Sequence, residues 1–235
     1  MELVLSEVTK KFDEKQVLAG ASYRFEQGKI YGLLGRNGAG KTTLFNCIAK
    51  DLPIDSGEIY LEQAGQRSSY EATDIGYVYA TSHVPAFMTG FEFIKYFMDV
   101  NHDKLRKPVK TPEEYLSSVG IAPEDQGRLL KDYSHGMKNK VQMLVSLIVA
   151  PPVLLLDEPL TSFDPVAAHE MKELILGLKQ DSIIIFSTHV LQLAQDLCDE
   201  IVLLHQHELR PVTDDIHDPA FEEEVVNMLK AGDPA

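Results

Sequence analysis

Cysteine is nearly missing from this chain. Cys47 and Cys198 are the only two, far apart and in no metal-binding spacing. That excludes a zinc-cysteine module and suits a reducing cytosol, where both are small buried side chains. Long apolar runs are lacking as well. The longest stretch, 141–156, contains Gln142 and the pair Pro151-Pro152 and runs straight into Asp157 and Glu158. It is too short and too broken to span a bilayer. Positive charge is scarce: 22 basic side chains stand against 36 acidic ones, a net charge of −14. That balance argues against broad binding to nucleic acid or to an anionic membrane surface. No low-complexity tract is present, and Met1 is followed by Glu2 rather than a basic, apolar leader, so no signal peptide is expected. The remainder is 235 residues of ordinary globular composition, enough to bury a sizeable core.

The most informative stretch present is Gly35-Arg36-Asn37-Gly38-Ala39-Gly40-Lys41-Thr42-Thr43. Residues 29–34 before it read as a short buried strand, and residues 44–50 after it as a helix. Strand, glycine loop with Lys-Thr, and helix form the context of a phosphate-binding loop. The glycines let successive backbone N–H groups turn inward as an anion nest. The following helix adds its N-terminal partial positive charge at the same point. Lys41 supplies a mobile cation for β- and γ-phosphates, and Thr42 a hydroxyl for Mg²⁺. The pattern predicts a nucleoside triphosphate site.

Alternation predicts strands over 2–8 and 17–25, with a polar turn at 9–13 that carries Phe12. Further strands are expected over 57–62 and 74–79, with a loop over 63–73. Residues 81–132 change to helical spacing and read as a helical insertion in an α/β core. Ser134 caps a long helix of about 136–150. The aliphatic runs 153–156, 182–186 and 201–204 read as buried parallel strands. Helices are expected over about 164–179 and 190–197, and Asp218-Pro219 opens a terminal helix of about 218–231. The acidic run Glu222-Glu223-Glu224 reads as a solvated helix face. Strands alternating with helices imply a mainly parallel sheet.

A second chemical stretch is Leu154-Leu155-Leu156-Asp157-Glu158. Two acids leave the C-terminal end of a buried strand, where ligands bind in open α/β sheets. One carboxylate can hold Mg²⁺ and the next can polarise an attacking water. His189 follows the strand 182–186 on the same rim, where a donor could meet a γ-phosphate.

Taken together, the phosphate loop, Tyr133-Ser134-His135-Gly136-Met137, Leu155-Leu156-Asp157-Glu158-Pro159, Thr161-Ser162-Phe163-Asp164 and Ser187-Thr188-His189 resemble, in that order, the ATP-binding subunit of an ABC transporter. The resemblance runs from Phe12 to the strand at 201–204. It implies an α/β P-loop NTPase core (1–80 and 133–210) with a mainly parallel sheet, an N-terminal antiparallel β subdomain and a helical insertion at about 81–132, all in one ATP-binding domain. It implies ATP and Mg²⁺ as cofactors. Phe12 matches the aromatic that stacks on adenine, Gly35 to Thr43 cradle the triphosphate, and Asp157 holds Mg²⁺ with Thr42. Glu158 matches the general base and His189 the switch histidine. Ser134 and Gly136 match the signature that contacts ATP on the opposite protomer, and Asp164 the acid that bridges protomers. Two ATP molecules would then be sandwiched in a head-to-tail dimer, of one chain or of two. A separate transmembrane permease would be the partner, with the subunit cytoplasmic and peripheral on the inner face of the membrane.

Two departures stand out. The signature usually reads Leu-Ser-Gly-Gly-Gln, and Tyr-Ser-His-Gly-Met-Lys is similar to a branch of bacterial exporter-type subunits. Where the family usually has a glutamine after the strand ending Tyr77-Val78-Tyr79, this chain has Ala80. A methyl group can reach neither Mg²⁺ nor water, so a water or the hydroxyl of Thr81 or Ser82 is expected to take over. Two other classes compete. Soluble ABC-type ATPases acting on DNA, ribosomes or cluster assembly usually carry a coiled coil, a tandem domain or zinc cysteines, none of which is seen. A nucleotide-binding regulator without turnover is disfavoured by Glu158 and His189.

Overall fold

The computed structural model describes residues 1–160, 165–212, 216 and 221–230. Two long strands open the chain, β1 (Glu2–Phe12) and β2 (Lys15–Glu26), followed by β3 (Ile30–Leu34), α1 (Lys41–Ile48), β4 (Ser56–Gln63), β5 (Gln66–Ser68) and β6 (Ile75–Val78). Three helices come next, α2 (Gly90–Val100), α3 (Pro112–Ser118) and α4 (Pro123–Gln126), and then the longest, α5 (His135–Val149). The chain continues through β7 (Val153–Asp157), α6 (Pro165–Leu176), β8 (Ile183–Thr188), α7 (Leu191–Leu197), β9 (Glu200–His205), β10 (Glu208–Val212) and α8 (Phe221–Lys230).

The strands form two sheets. One is antiparallel, in the order β2-β1-β4-β5; the other runs β10-β9-β3-β8-β7-β6. Its five strands β9 to β6 are parallel, and β10 closes one edge antiparallel to β9. The aliphatic runs explain the parallel strands: β3, β7 and β8 are buried at every position. Their alternate side chains serve two cores. Tyr31, Leu33, Val153, Leu155, Ile183 and Ile185 pack with β1, β2 and α1. Ile30, Leu34, Leu154, Leu156, Ile184 and Phe186 pack with α6, α7 and α8. A third cluster joins Ile94, Leu116 and Leu130 to Val141, Leu144 and Ile148 of α5.

Several boundaries differ from the sequence expectation. Residues 9–12 are strand, because Lys10, Lys11 and Phe12 pair with Leu18, Gln16 and Lys15 of β2. β5 and β10 fall where no strand is expected. Both are short edge strands, three and five residues, whose polar composition hides them. The first helix starts at Lys41, three residues earlier than its apolar pattern suggests, and stops before Lys50, which adopts φ +63°. The expected helix start at Asp218-Pro219 and the acid Asp164 lie outside the described residues.

Candidate nucleotide site

The phosphate loop joins β3 to α1 at the C-terminal rim of the parallel sheet. Two of its glycines are demanded by space. A Cβ at Gly35 would stand 2.8 Å from the carbonyl oxygen of Leu204. Gly40 has φ +112°, and a Cβ there would meet Val17 Cγ1 at 2.7 Å. The loop closes on itself, with the Ala39 N–H donating to the Arg36 carbonyl at 3.1 Å. Lys41 is 8% exposed and donates from Nζ to the Gly35 carbonyl at 2.7 Å and to the Arg36 carbonyl at 3.4 Å. Burial lowers its pKa, and the carboxylates of Glu158 and Asp157 oppose that shift.

β7 and β8 deliver the acids. Asp157, 5% exposed, accepts from Thr42 Oγ1 at 2.9 Å on one oxygen and from the Ser187 hydroxyl on the other. Glu158 follows at φ +50°, a strained value for a non-glycine residue. Its N–H donates to both the carbonyl and the hydroxyl of Ser187 at 3.2 Å. That turn sends its carboxylate away from Asp157 to the His189 ring, where Glu158 Oε1 and His189 Nδ1 lie 2.8 Å apart. Phe12, Lys15, Gly38, Gly40, Lys41, Thr42, Thr43, Ala80, Asp157 and Glu158 line one cavity of about 390 Å³, along with Asn37 and Val17. Arg36 and Ala39 line a second hollow of about 370 Å³ with Leu204 and His207. Lys15, Val17, Asn37 and Gly38 belong to both.

Oxygen donors meeting at one point suit a hard cation. Among the described residues no group of three or more His, Cys, Asp or Glu could cage a metal. Thr42 and Asp157 would supply two oxygens, and phosphates and waters the rest, as Mg²⁺ prefers.

Ser134 and Gly136 stand apart from this cavity. They open α5, where Ser134 Oγ accepts from the Met137 N–H at 3.2 Å as an N-cap. Ala80 lines the cavity with a methyl group. Ser82 is not among the residues that line this cavity, and its hydroxyl donates to Asn139 Oδ1 on α5. Ser187 and Lys15 are site residues that the sequence reading did not single out. Ser187 lies two places before His189 in the stretch Ser-Thr-His, but its link to Asp157 spans 30 residues and needs the β7–β8 pairing to be seen.

Comparison with known proteins follows the same lines. Residues 18–161 match the family model for ABC transporter. An ABC transporter ATP-binding protein of Nostoc sp. is 32% identical over 194 residues, which cover 82% of this chain and 58% of that protein. The bacitracin transport ATP-binding protein BcrA of Enterococcus faecalis is 28% identical, over 89% of this chain and 68% of its own length. The chain thus spans little more than half the length of the first of these relatives. Among solved structures, an ATP-binding subunit of an ABC transporter superimposes with TM-score 0.83 at 23% identity, covering 98% of this chain and all of that one. A dimeric post-hydrolysis state of the ATP-binding cassette MJ0796, bound to ADP and Pi, gives TM-score 0.75 at 19% identity over 92% and 99%.

Proposed function

The chain belongs to the ABC transporter family of ATP-binding proteins, and we propose from that premise that it binds and hydrolyses MgATP to drive a separate transmembrane permease. The observation that carries the reading is the convergence on one cavity of Lys41, Thr42, Asp157 and Glu158, with His189 keyed to Glu158 at 2.8 Å. Lys41 and the loop N–H groups bind the β- and γ-phosphates, and Lys41 exchanges its two carbonyl contacts for phosphate oxygens. Thr42 and Asp157 hold Mg²⁺, which when bound neutralises charge on the phosphate oxygens. Ser187 keeps the Asp157 carboxylate oriented. Glu158 takes the proton of the attacking water, and His189 orients Glu158 and offers a donor to the γ-phosphate. Phe12 stacks on adenine from the cavity wall.

In this reading the chain is one ATP-binding domain with its helical insertion at about 81–132, and its site is completed by a second protomer. Ser134 and Gly136 begin α5, so their N-terminal N–H groups can serve a phosphate held by the other subunit. Asp164 is assigned the bridging role that the resemblance implies. Among the described residues no helix is long and apolar enough to cross a membrane. In this reading the permease is a separate chain and the subunit sits peripherally at the inner face of the membrane, as the family resemblance implies. The helical insertion exposes Phe87 (86%) and Tyr96 (59%), while Phe91 packs inward, so the first two are the residues to offer a permease. The Tyr-Ser-His-Gly-Met signature, similar to a branch of bacterial exporter-type subunits, favours export.

An ATPase assay of the purified chain against Glu158→Gln tests the reading. The expected outcome is Mg²⁺-dependent phosphate release that falls by about 10²-fold or more in the variant, with ATP binding retained. Equal release by both proteins would overturn it.

A further inference from the structure

The segment 79–83 lies between the two halves of the proposed site and is fastened on both sides. Toward the phosphate loop it continues a ladder of rings. Phe45 of α1 meets Tyr77 edge-on at 5.9 Å, Tyr77 stacks on Tyr79 at 4.0 Å, and Tyr79 meets His83 at 4.9 Å. The Tyr79 hydroxyl donates to Asp51 at 3.1 Å. Toward α5 it is tied by two buried amide side chains. Gln142, 5% exposed, donates from Nε2 to the Tyr79 carbonyl at 3.2 Å and accepts the His83 N–H on Oε1 at 2.8 Å. Asn139, 8% exposed, accepts the Ser82 hydroxyl on Oδ1, and its amide nitrogen lies 3.3 Å from His135 Nδ1.

Neither Gln142 nor Asn139 lines the nucleotide cavity, whereas Ala80, held between their contacts, does. Burying an amide is unfavourable unless each polar atom is matched, and a matched pair fixes geometry because slippage leaves it orphaned. Gln142 is matched at both ends to main-chain groups four residues apart, so it sets the path of the segment between them. Its own helix begins at Ser134.

We propose that Gln142 and Asn139 are positioning residues: they make the 79–83 segment and α5 one body, so that the main chain at Ala80 is held at the reacting end of the cavity without the reach of a glutamine side chain. The link also joins the cavity of one nucleotide to the helix start that serves the other. The inference rests on the ATPase reading above for its kinetic consequence and on geometry alone for its structural one.

The test uses the full chain carrying Gln142→Leu and, separately, Gln142→Glu. Leu fills similar volume and removes both hydrogen bonds, while Glu keeps the acceptor for His83 and loses the donor to Tyr79. Amide hydrogen exchange of residues 80–83 in the nucleotide-free protein is expected to speed up about tenfold in Gln142→Leu and less in Gln142→Glu. Exchange in β7 and β8 should hold, which reports that the fold is intact. Binding of a fluorescent ATP analogue is expected to stay within about twofold, while kcat falls about tenfold at near-constant KM, with partial recovery in Gln142→Glu. Unchanged exchange in 80–83 would overturn the latch. Faster exchange with wild-type kcat would overturn its positioning role. Wild-type protein that binds ATP but never turns it over would refute the ATPase reading instead, and the exchange result would still decide the latch.

Discussion

At the scale of single residues, Glu158 shows how strain and function meet. Its φ of +50° is stabilised by two hydrogen bonds from its N–H to Ser187, and the result is that two consecutive acids point to different tasks. Asp157 turns to Thr42 and Ser187, and Glu158 turns to His189. Phe12 is the other residue whose position speaks for a ligand. It is 45% exposed at the end of β1, with Lys10 Nζ 5.7 Å from its ring centroid, and it opens on the cavity rather than the core. Phe12→Ala is expected to weaken ATP binding about three- to tenfold without changing thermal stability, and Phe12→Trp to restore it. Calorimetric titration measures both, and equal affinity in all three proteins would remove Phe12 from the site.

At the scale of elements, caps separate stability from chemistry. α5 and α3 begin with the same device: Ser134 accepts from Met137 and Thr111 accepts from Glu114, each from a residue three places on. Either residue changed to Ala should cost about 1 kcal/mol. Only Ser134→Ala should also impair ATP-driven association, because only that helix start is assigned to a partner's phosphate. Chemical denaturation compared with ATP-dependent sedimentation distinguishes the two effects, and an equal loss of association in Thr111→Ala would reduce Ser134 to a plain cap. The buried strands obey packing alone. Leu155 is fully buried among both sheets and α1, so Leu155→Ala should lower stability by about 2–5 kcal/mol, read from the denaturation midpoint.

At the scale of the whole molecule, the cavity that the phosphate loop lines does not include Ser134 or Gly136 among the described residues, and the proposed site built from both draws on a second copy. Glu158→Gln protein with MgATP is therefore expected to move from 26.3 kDa to twice that mass in light scattering, and to remain at 26.3 kDa with ADP. Monomer under both conditions would count against the sandwich. The sequence by itself determined the features whose causes are local. Nine contiguous residues specify the phosphate loop, because glycine freedom, helix start and lysine all act within two turns of chain. Aliphatic runs specify β7, β8 and β9, because strands buried on both faces favour apolar side chains. Only the tertiary structure decided what depends on neighbours distant in sequence. Strand order set β3 between β8 and β9. It brought Thr42 to Asp157 across 115 residues and Ser187 beneath them. It made strand of Thr9 to Phe12 through pairing with β2 and β4, against their polar composition. It also turned Ser82 to Asn139 of α5, because a buried amide oxygen needs a donor and the half-buried Ser82 hydroxyl supplies it.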